Sequence, residues 1–237
     1  MKITVKRYDP SKDNAPYEAT YEVPHDDEYM TLLQALVYIH ENEEPLAFDF
    51  SCRGRMCGRC AMMLDGEPVL ACVEPLTDGA HTVEPLAGVP VVKDLVVDKS
   101  QVQARIAETY KRVRVAPLTE EDIQTYNMDD ADELFGINYC ARCQVCTAGC
   151  PARAMSPEYI GPSHMLAVAF RHFDPYDQAD RIVEAVQGGL WDCTMCGNCT
   201  AHCNQLEIDH LTIWQKLRST ASPRGCLASF RNAWLNL

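Results

Sequence analysis

The amino-acid sequence predicts an α+β protein in which a strand-rich region precedes a helical one. Up to about residue 98, apolar and polar residues alternate in short runs, and this period is typical of half-buried strands. From residue 99 the apolar residues recur every three or four positions, as at Val102 and Ile106, which is typical of helices. We therefore expect two domains, at residues 1–98 and 99–237.

The first region has the elements of a β-grasp sheet. Two alternating runs, at residues 3–7 and 19–23, flank the turn-rich segment DPSKDNAP and predict a hairpin. Thr31 and Gln34 form a capping box that begins a helix. Asp65-Gly66, between AMML and EPVLAC, predicts a second hairpin turn.

The second region is predicted to be all-α. Its apolar series begins at Val102 and continues to Val113, so a helix is expected over that range. Ser163 is expected to cap a later helix, and Gly188-Gly189 to end the one after it. Trp214 lies on the apolar face of a further predicted helix.

Cysteine is the unusual component of this sequence. The chain has 13 cysteines, which form three clusters, at residues 52–72, 140–150 and 193–203, with Cys226 alone outside them. A disulfide framework is typical of secreted chains, but the segment MKITVKRYDPSKDN shows no apolar signal. We therefore expect a cytoplasmic protein whose clustered thiols serve metal or redox chemistry. Cys226 is interpreted as a structural or incidental thiol.

Charge and composition exclude several classes of function. A formal net charge of −13 argues against nucleic-acid binding, which needs a basic surface. No run approaches the roughly 18 apolar residues of a membrane span, so we expect no transmembrane segment. The sequence shows no convincing nucleophile–base pair, P-loop or G-x-G-x-x-G motif, and no catalytic residue is predicted.

The first cysteine cluster predicts a [2Fe–2S] site. Cys52, Cys57 and Cys60 have the C-x4-C-x2-C spacing of plant-type ferredoxins, and Cys72 supplies the remaining ligand. Zinc also accepts four thiolates, but it favours paired C-x2–4-C knuckles over this series. The same loop carries three arginines, Arg53, Arg55 and Arg59. Two interpretations stay open for them: they raise the reduction potential of the cluster, or they are solvated loop residues.

The second and third clusters each have the C-x2-C-x2-C-x3-C run of bacterial ferredoxins, whose fourth cysteine binds the other cluster. The predicted ligands of one [4Fe–4S] cluster are Cys140, Cys143, Cys146 and Cys203. Those of the second [4Fe–4S] cluster are Cys150, Cys193, Cys196 and Cys199. Three clusters without substrate machinery indicate an electron-transfer chain.

These segments resemble one family. SCRGRMCGRCAMMLDGEPVLAC is similar to the first cysteine segment of the iron–sulfur subunits of succinate dehydrogenase and fumarate reductase, and CARCQVCTAGCP with YIGPSHMLAVAFRHFDP is similar to their second cluster region. The resemblance implies a β-grasp [2Fe–2S] ferredoxin domain followed by an all-α ferredoxin-like domain with two cubane clusters. It implies a subunit without catalytic residues that relays electrons between an FAD-containing catalytic subunit and a quinone-side membrane anchor. Such a subunit would be peripheral on the cytoplasmic membrane through its partners.

The chain departs from the family pattern at the third cluster. In familiar members, the positions of Cys150, Cys193 and Cys199 hold a [3Fe–4S] cluster, and the slot of Cys196 is commonly not cysteine. A thiolate at Cys196 predicts a [4Fe–4S] cluster; without that ligand the cluster would be [3Fe–4S]. Tryptophan after the second block and histidine in the third, both present in quinone-reactive members, are also missing, since Ala154 or Met155 stands in the first of those stretches and Thr194 in the second.

These departures motivate an alternative function. The same architecture would then serve a related flavoprotein oxidoreductase whose partner is a thiol or a low-potential carrier instead of a quinone. A third possibility is a metal-stabilised interaction module without redox activity. The departures do not distinguish an anchor subunit from another redox subunit as partner.

Overall fold

The computed structural model describes residues 1–25, 29–121, 128–205 and 208–227. The chain forms two compact units. The first comprises Met1–Ser100 with Ala141–Gly149, and the second comprises Gln101–Cys140 with Cys150–Leu237. The predicted domain boundary between residues 98 and 99 stays a prediction. Segment 141–149, which was expected in the second domain, packs with the first unit.

A five-stranded sheet forms the framework of the first unit, with strand order β2-β1-β7-β4-β5. Strand β7 pairs in parallel with β1 and antiparallel with β4, which places it at the centre of the sheet. The strands are β1 Lys2–Arg7, β2 Tyr17–Glu22, β3 Met30–Thr31, β4 Ala61–Leu64, β5 Glu67–Leu70, β6 Pro75–Leu76, β7 Ala80–Glu84, β8 Val91–Lys93 and β9 Val96–Val97.

Alternation along the strands builds the core of this unit. Ile3 and Val5 on β1 are fully buried, and they face α1, Leu32–Asn42, across a common apolar core. The capping box of Thr31 and Gln34 begins α1 as predicted, and the Asp65-Gly66 turn joins β4 to β5. The strand-rich half expected from the sequence is thus present, with α1 packed on the sheet.

A buried ion pair fixes the chain just before the first cysteine loop. Arg7, 7% exposed, donates from Nε to Oδ1 of Asp94, 2% exposed, at 3.0 Å. The Asp94 carboxylate also accepts the main-chain N–H groups of Tyr8 and Ala47, both at 3.0 Å. Because a buried charge is tolerated only when it is paired and hydrogen-bonded, this network holds Ala47 in one position.

Helices dominate the rest of the chain, as predicted. They are α2 Ser100–Thr109, α3 Met128–Asn138, α4 Val145–Ala148, α5 Pro151–Met155, α6 Pro162–His172, α7 Arg181–Gln187, α8 Asn198–Ala201 and α9 His210–Ala221, followed by a 3₁₀ turn at Ser222–Arg224. None of the helices within the described ranges has the length and apolar character needed to cross a bilayer.

Two predicted helix ends were wrong. The helix that begins at Ser100 ends at Thr109 rather than at Val113, whose side chain is 39% exposed. Helix α6 is preceded by Gly161 with Pro162 at its first turn, and Ser163 is already inside it. Proline suits that position, since its missing N–H would be unsatisfied there in any case.

A polar contact within the second unit joins the end of α2 to α6 and α7. The Thr109 hydroxyl lies 2.9 Å from Nε2 of His164 and donates to Oε1 of Glu184 at 3.0 Å. Glu184 in turn accepts from Nη1 of Arg181 at 2.7 Å. Burial lowers the pKa of His164, so its imidazole is held in the neutral form near neutral pH.

Candidate metal centres

The first cysteine loop directs main-chain N–H groups at its sulfur atoms. Arg53 and Arg55 adopt left-handed conformations, with φ of 55° and 57°. The N–H of Gly54 lies 3.4 Å from Sγ of Cys52, and the N–H of Arg55 lies 3.4 Å from Sγ of Cys72. Successive N–H groups in such a turn form a concave anion-binding surface, which suits a negatively charged sulfur cluster.

Burial and hydrogen bonding act in opposite directions on the thiols of this loop. The N–H of Gly54 lowers the pKa of Cys52 to about 7, whereas burial raises the pKa of Cys60 to about 12. Only the thiolate binds iron, so a buried thiol such as Cys60 ionises when a metal supplies the compensating positive charge. The four cysteines of the loop therefore fit an iron–sulfur cluster.

Arg53 and Arg59 of the first cysteine loop contact nearby side chains. The guanidinium of Arg53 lies over the ring of Phe50 at 5.1 Å from its centroid. Nη1 of Arg59 lies 3.2 Å from Oδ1 of Asp49 in an exposed ion pair. These contacts anchor the arginines at the loop surface, and their effect on a reduction potential stays a prediction.

The second and third cysteine blocks share one backbone pattern. In each block the second and fourth residues after the first cysteine are left-handed, with φ of 54° and 73° at Arg142 and Gln144, and 58° and 84° at Met195 and Gly197. A one-turn helix follows in both, α4 and α8. The N–H of Met195 donates to Sγ of Cys193 at 3.4 Å. A left-handed turn therefore directs a main-chain N–H at a cysteine sulfur here, as in the first cysteine loop.

In the second unit, four predicted ligands surround one cavity. It contains about 290 Å³ not filled by protein atoms, its open mouth included, and its lining includes Cys150, Cys193, Cys196 and Cys199. Cys150 and Cys199 are buried, while Cys196 is exposed at the mouth. Within the described ranges no three His, Cys, Asp or Glu side chains converge closely enough to hold a single metal ion.

Trp214 on α9 lines the same cavity. Its indole Nε1 is buried and has no partner of ordinary hydrogen-bond geometry among the described residues. It faces the Cys199 thiol and lowers the pKa of that thiol, although burial prevails and raises the pKa to about 11. A buried donor without an acceptor is costly, and a sulfur-rich anionic group in the cavity would satisfy it. The cavity fits an iron–sulfur cluster on this ground.

Helix α9 also holds the peptide at which the third block begins. Nη2 of Arg218 donates to the carbonyl oxygens of Leu190, at 2.9 Å, and Cys193, at 2.5 Å. The Arg218 guanidinium stacks over the ring of Trp191 at 5.0 Å. Arg218 was not among the residues predicted from the sequence; its i,i+4 spacing from Trp214 places both side chains on one face of α9.

The predicted ligands of the middle cluster are divided between the two units. Cys143 and Cys146 belong to the first unit, and Cys140 and Cys203 to the second. Within the first unit, a Cβ atom built on Gly58 would lie 2.6 Å from Cβ of Cys143, so the first cysteine loop packs directly on this segment. Cys226 lies apart from the cavity lining, and its carbonyl oxygen accepts the indole N–H of Trp191 at 2.7 Å.

Comparison with known families agrees with this arrangement. The profile described as a 2Fe-2S iron-sulfur cluster binding domain matches residues 2–104, and that described as a 4Fe-4S dicluster domain matches residues 136–206. The fumarate reductase iron-sulfur subunit of Escherichia coli O6:H1 is 36% identical over 213 residues, which cover 86% of this chain and 86% of that protein. The chain belongs to the fumarate reductase iron–sulfur subunit family. The fold and the iron–sulfur character predicted from the sequence are thus confirmed.

One further relative and one solved structure extend the comparison. A fumarate reductase (CoM/CoB) subunit of Methanothermobacter marburgensis is 34% identical over 95% of this chain. This chain spans 45% of the length of that relative. A chain in the structure titled Mycobacterium smegmatis Sdh1 complex in the apo form shares the fold, with a TM-score of 0.76, 24% identity, and coverage of 94% of this chain and 95% of that one.

Proposed function

We propose that this chain is the electron-transfer iron–sulfur subunit of a succinate dehydrogenase/fumarate reductase-like complex, relaying electrons between an FAD-containing subunit and a quinone-side membrane anchor. The observation that carries the proposal is the packing of the first cysteine loop on Cys143 at Gly58. Electrons pass between centres only over short distances, and this contact brings two predicted cluster-binding segments together. Bound clusters would supply one-electron transfer, which thiols alone do not.

The proposed ligands follow the cysteine spacing. One [2Fe–2S] cluster and two [4Fe–4S] clusters would be held, in that order, by Cys52, Cys57, Cys60 and Cys72, by Cys140, Cys143, Cys146 and Cys203, and by Cys150, Cys193, Cys196 and Cys199. Main-chain N–H groups favour the ionised form of Cys52, while burial raises the pKa of thiols such as Cys60, which bound iron would ionise. Reaction at carbon would belong to the flavoprotein partner, so this subunit would have no catalytic residue.

The partners and location are proposed by analogy with relatives that are named as subunits. An FAD-containing subunit and a membrane anchor or other redox subunit would bind the chain. It would lie in the cytoplasm, peripheral on the membrane through those partners. The reducing compartment expected from the clustered cysteines supports this location.

A second candidate function differs in the electron partner. The M. marburgensis relative is named for CoM/CoB rather than for a quinone, and Cys196 supplies a fourth thiol at the third site. The chain would then connect a flavoprotein to a thiol or a low-potential carrier. The architecture and the three clusters would be the same.

Two measurements test these proposals. Anaerobic purification of the full chain should yield about ten iron atoms per chain, the content of one [2Fe–2S] and two [4Fe–4S] clusters. Zinc in place of iron would overturn both functions and favour a metal-stabilised interaction module. Native purification of the complex should then give a flavin subunit with succinate or fumarate turnover coupled to quinone. Turnover only with a thiol or low-potential carrier would support the second candidate instead.

A further inference from the structure

Lys99 directs its ammonium group at the first cysteine loop. Nζ donates to the carbonyl oxygen of Gly58 at 3.0 Å and lies 3.5 Å from that of Arg59. Both carbonyls belong to the turn between Cys57 and Cys60. The lysine thus holds the segment that connects two predicted ligands of the first cluster.

The ammonium group of Lys99 is positively charged and partly withdrawn from solvent. Burial lowers the pKa of Lys99, while the nearby thiols of Cys143, Cys60 and Cys57 act in the opposite direction. Among the described residues no carboxylate forms an ion pair with it, and Asp49, the acidic residue whose charge it senses, is paired with Arg59. Lys99 is half-buried and its ammonium group is held by main-chain carbonyl oxygens, so an anionic cluster beside it would supply the opposite charge that these neutral acceptors lack.

The carbonyl oxygen that Lys99 contacts belongs to Gly58, where the first cysteine loop packs against the second cysteine block. The backbone of Gly58 is so close to Cys143 that an added Cβ would lie 2.6 Å from its Cβ and 2.8 Å from its Cα. Gly58 has φ of 65°, a conformation that glycine adopts without strain. The ammonium of Lys99 therefore lies beside a contact between segments that carry ligands of two different clusters.

We propose that Lys99 is a positioning residue whose positive charge stabilises the reduced forms of both the [2Fe–2S] cluster and the cluster bound by Cys143. This inference deepens the proposed function and rests on it. Each electron taken up makes a cluster more negative, and a half-buried cation held in place nearby lowers the free energy of that state. Because one charge acts on both clusters, their reduction potentials rise together and the driving force between them changes little.

The test is an EPR-monitored redox titration of the iron-loaded full chain. Lys99→Met removes the charge and keeps an unbranched side chain. We expect the equilibrium constant for reduction to fall about tenfold at each of the two clusters, which is about 59 mV for a one-electron couple. Lys99→Arg should retain most of the wild-type potential at both.

Lys93→Met is the matched control. Lys93 lies in the same unit and pairs with Asp9 on the surface, at 2.8 Å, so its substitution changes the net charge by the same amount at a solvated position. Less than a twofold change is expected at either cluster. An equal shift in the control, or an unchanged potential at either cluster in Lys99→Met, would overturn the inference.

If the Lys99→Met variant does not bind iron, the same titration is carried out on Lys99→Gln. The glutamine amide keeps a hydrogen-bond donor for the Gly58 carbonyl oxygen but carries no charge. Failure of both variants would overturn the inference, since Lys99 would then be a structural tether. A wild-type chain without reducible clusters would instead contradict the proposed function itself.

Discussion

Nη2 of Arg218 on α9 lies 2.5 Å from the main-chain carbonyl oxygen of Cys193. The same nitrogen lies 2.9 Å from the carbonyl oxygen of Leu190. One side chain therefore fixes the peptide from which the third cysteine block starts, and its stacking on Trp191 fixes the guanidinium in turn. The order of the third cysteine block therefore depends on a helix that contributes none of the predicted ligands.

Arg218→Met should destabilise this block. Hydrogen bonds from a charged donor contribute about 1.5–3 kcal/mol, and the variant leaves two carbonyl oxygens without their partner. We expect a lower melting temperature and faster iron release to a chelator, both measured on the anaerobic full chain. Arg224→Met is the control, because Arg224 forms an exposed ion pair with Asp180 and should change neither quantity appreciably.

Gly58→Ala should disrupt the contact between the first two cysteine segments. The new Cβ would lie 2.6 Å from Cβ of Cys143 and 2.9 Å from the carbonyl oxygen of Ala141, so the loop must shift. Overpacking of this kind costs about 1–3 kcal/mol, which denaturant unfolding would measure. Gly54→Ala in the same loop has its nearest neighbour at 3.8 Å and should have a smaller effect. Equal losses in the two variants would contradict the packing argument.

Cys196→Ser tests the fourth thiol of the third site. Serine binds iron less well than a thiolate, so the site should retain three ligands and give a [3Fe–4S] cluster with a new EPR signal in the oxidised state. Cys226→Ser should leave the spectrum unchanged, since Cys226 is not part of the cavity lining. The same signal in anaerobically prepared wild type would show that Cys196 is not a ligand.

Protonation of His164 should lower the free energy of unfolding of the second unit in acid. Burial lowers its pKa from 6.5, so below that pH the unfolded chain binds a proton that the folded chain resists. Stability is therefore lost as the pH falls below 6.5, by at most about 1.4 kcal/mol per pH unit for one group. His164→Gln should reduce this slope, measured as the free energy of unfolding against pH.

Thr109→Val separates titration from hydrogen bonding at the same place. It removes the hydroxyl that lies 2.9 Å from Nε2 of His164 but keeps the imidazole. The variant should be less stable at every pH and keep the acid slope. If His164→Gln left the slope as it is in the wild type, other groups would account for the acid sensitivity.

Local chemistry made much of the fold predictable from the sequence. Alternation at Ile3 and Val5, the Thr31 capping box and the Asp65-Gly66 turn each depend on residues close in sequence, and all three appear in the structure. Gly188 ends α7 as expected, with Gly189 at φ of 91°. Four cysteines predicted as ligands line the cavity of the second unit, and their role as ligands stays a prediction.

Features that depend on distant residues were not predictable in the same way. The parallel pairing of β1 with β7 and the burial of Arg7 against Asp94 join residues 78 or more positions apart. Left-handed conformations at Arg142 and Met195 also escaped prediction, because neither side chain favours them and the surrounding block imposes them. Lys99 and Arg218 gave no signal beyond charge, since their importance depends on the carbonyl oxygens they reach.

The assignment of residues 141–149 to the first unit has a consequence for synthesis of the chain. Val145, 1% exposed, belongs to the apolar core of that unit, although α2 and α3 precede it in the sequence. A growing chain that has released only its first hundred residues therefore lacks part of the core it needs. The N-terminal unit would reach its final packing on the ribosome only after the segment carrying Cys143 and Cys146 has emerged. A fragment truncated before that segment is therefore expected to lack part of the core of the N-terminal unit.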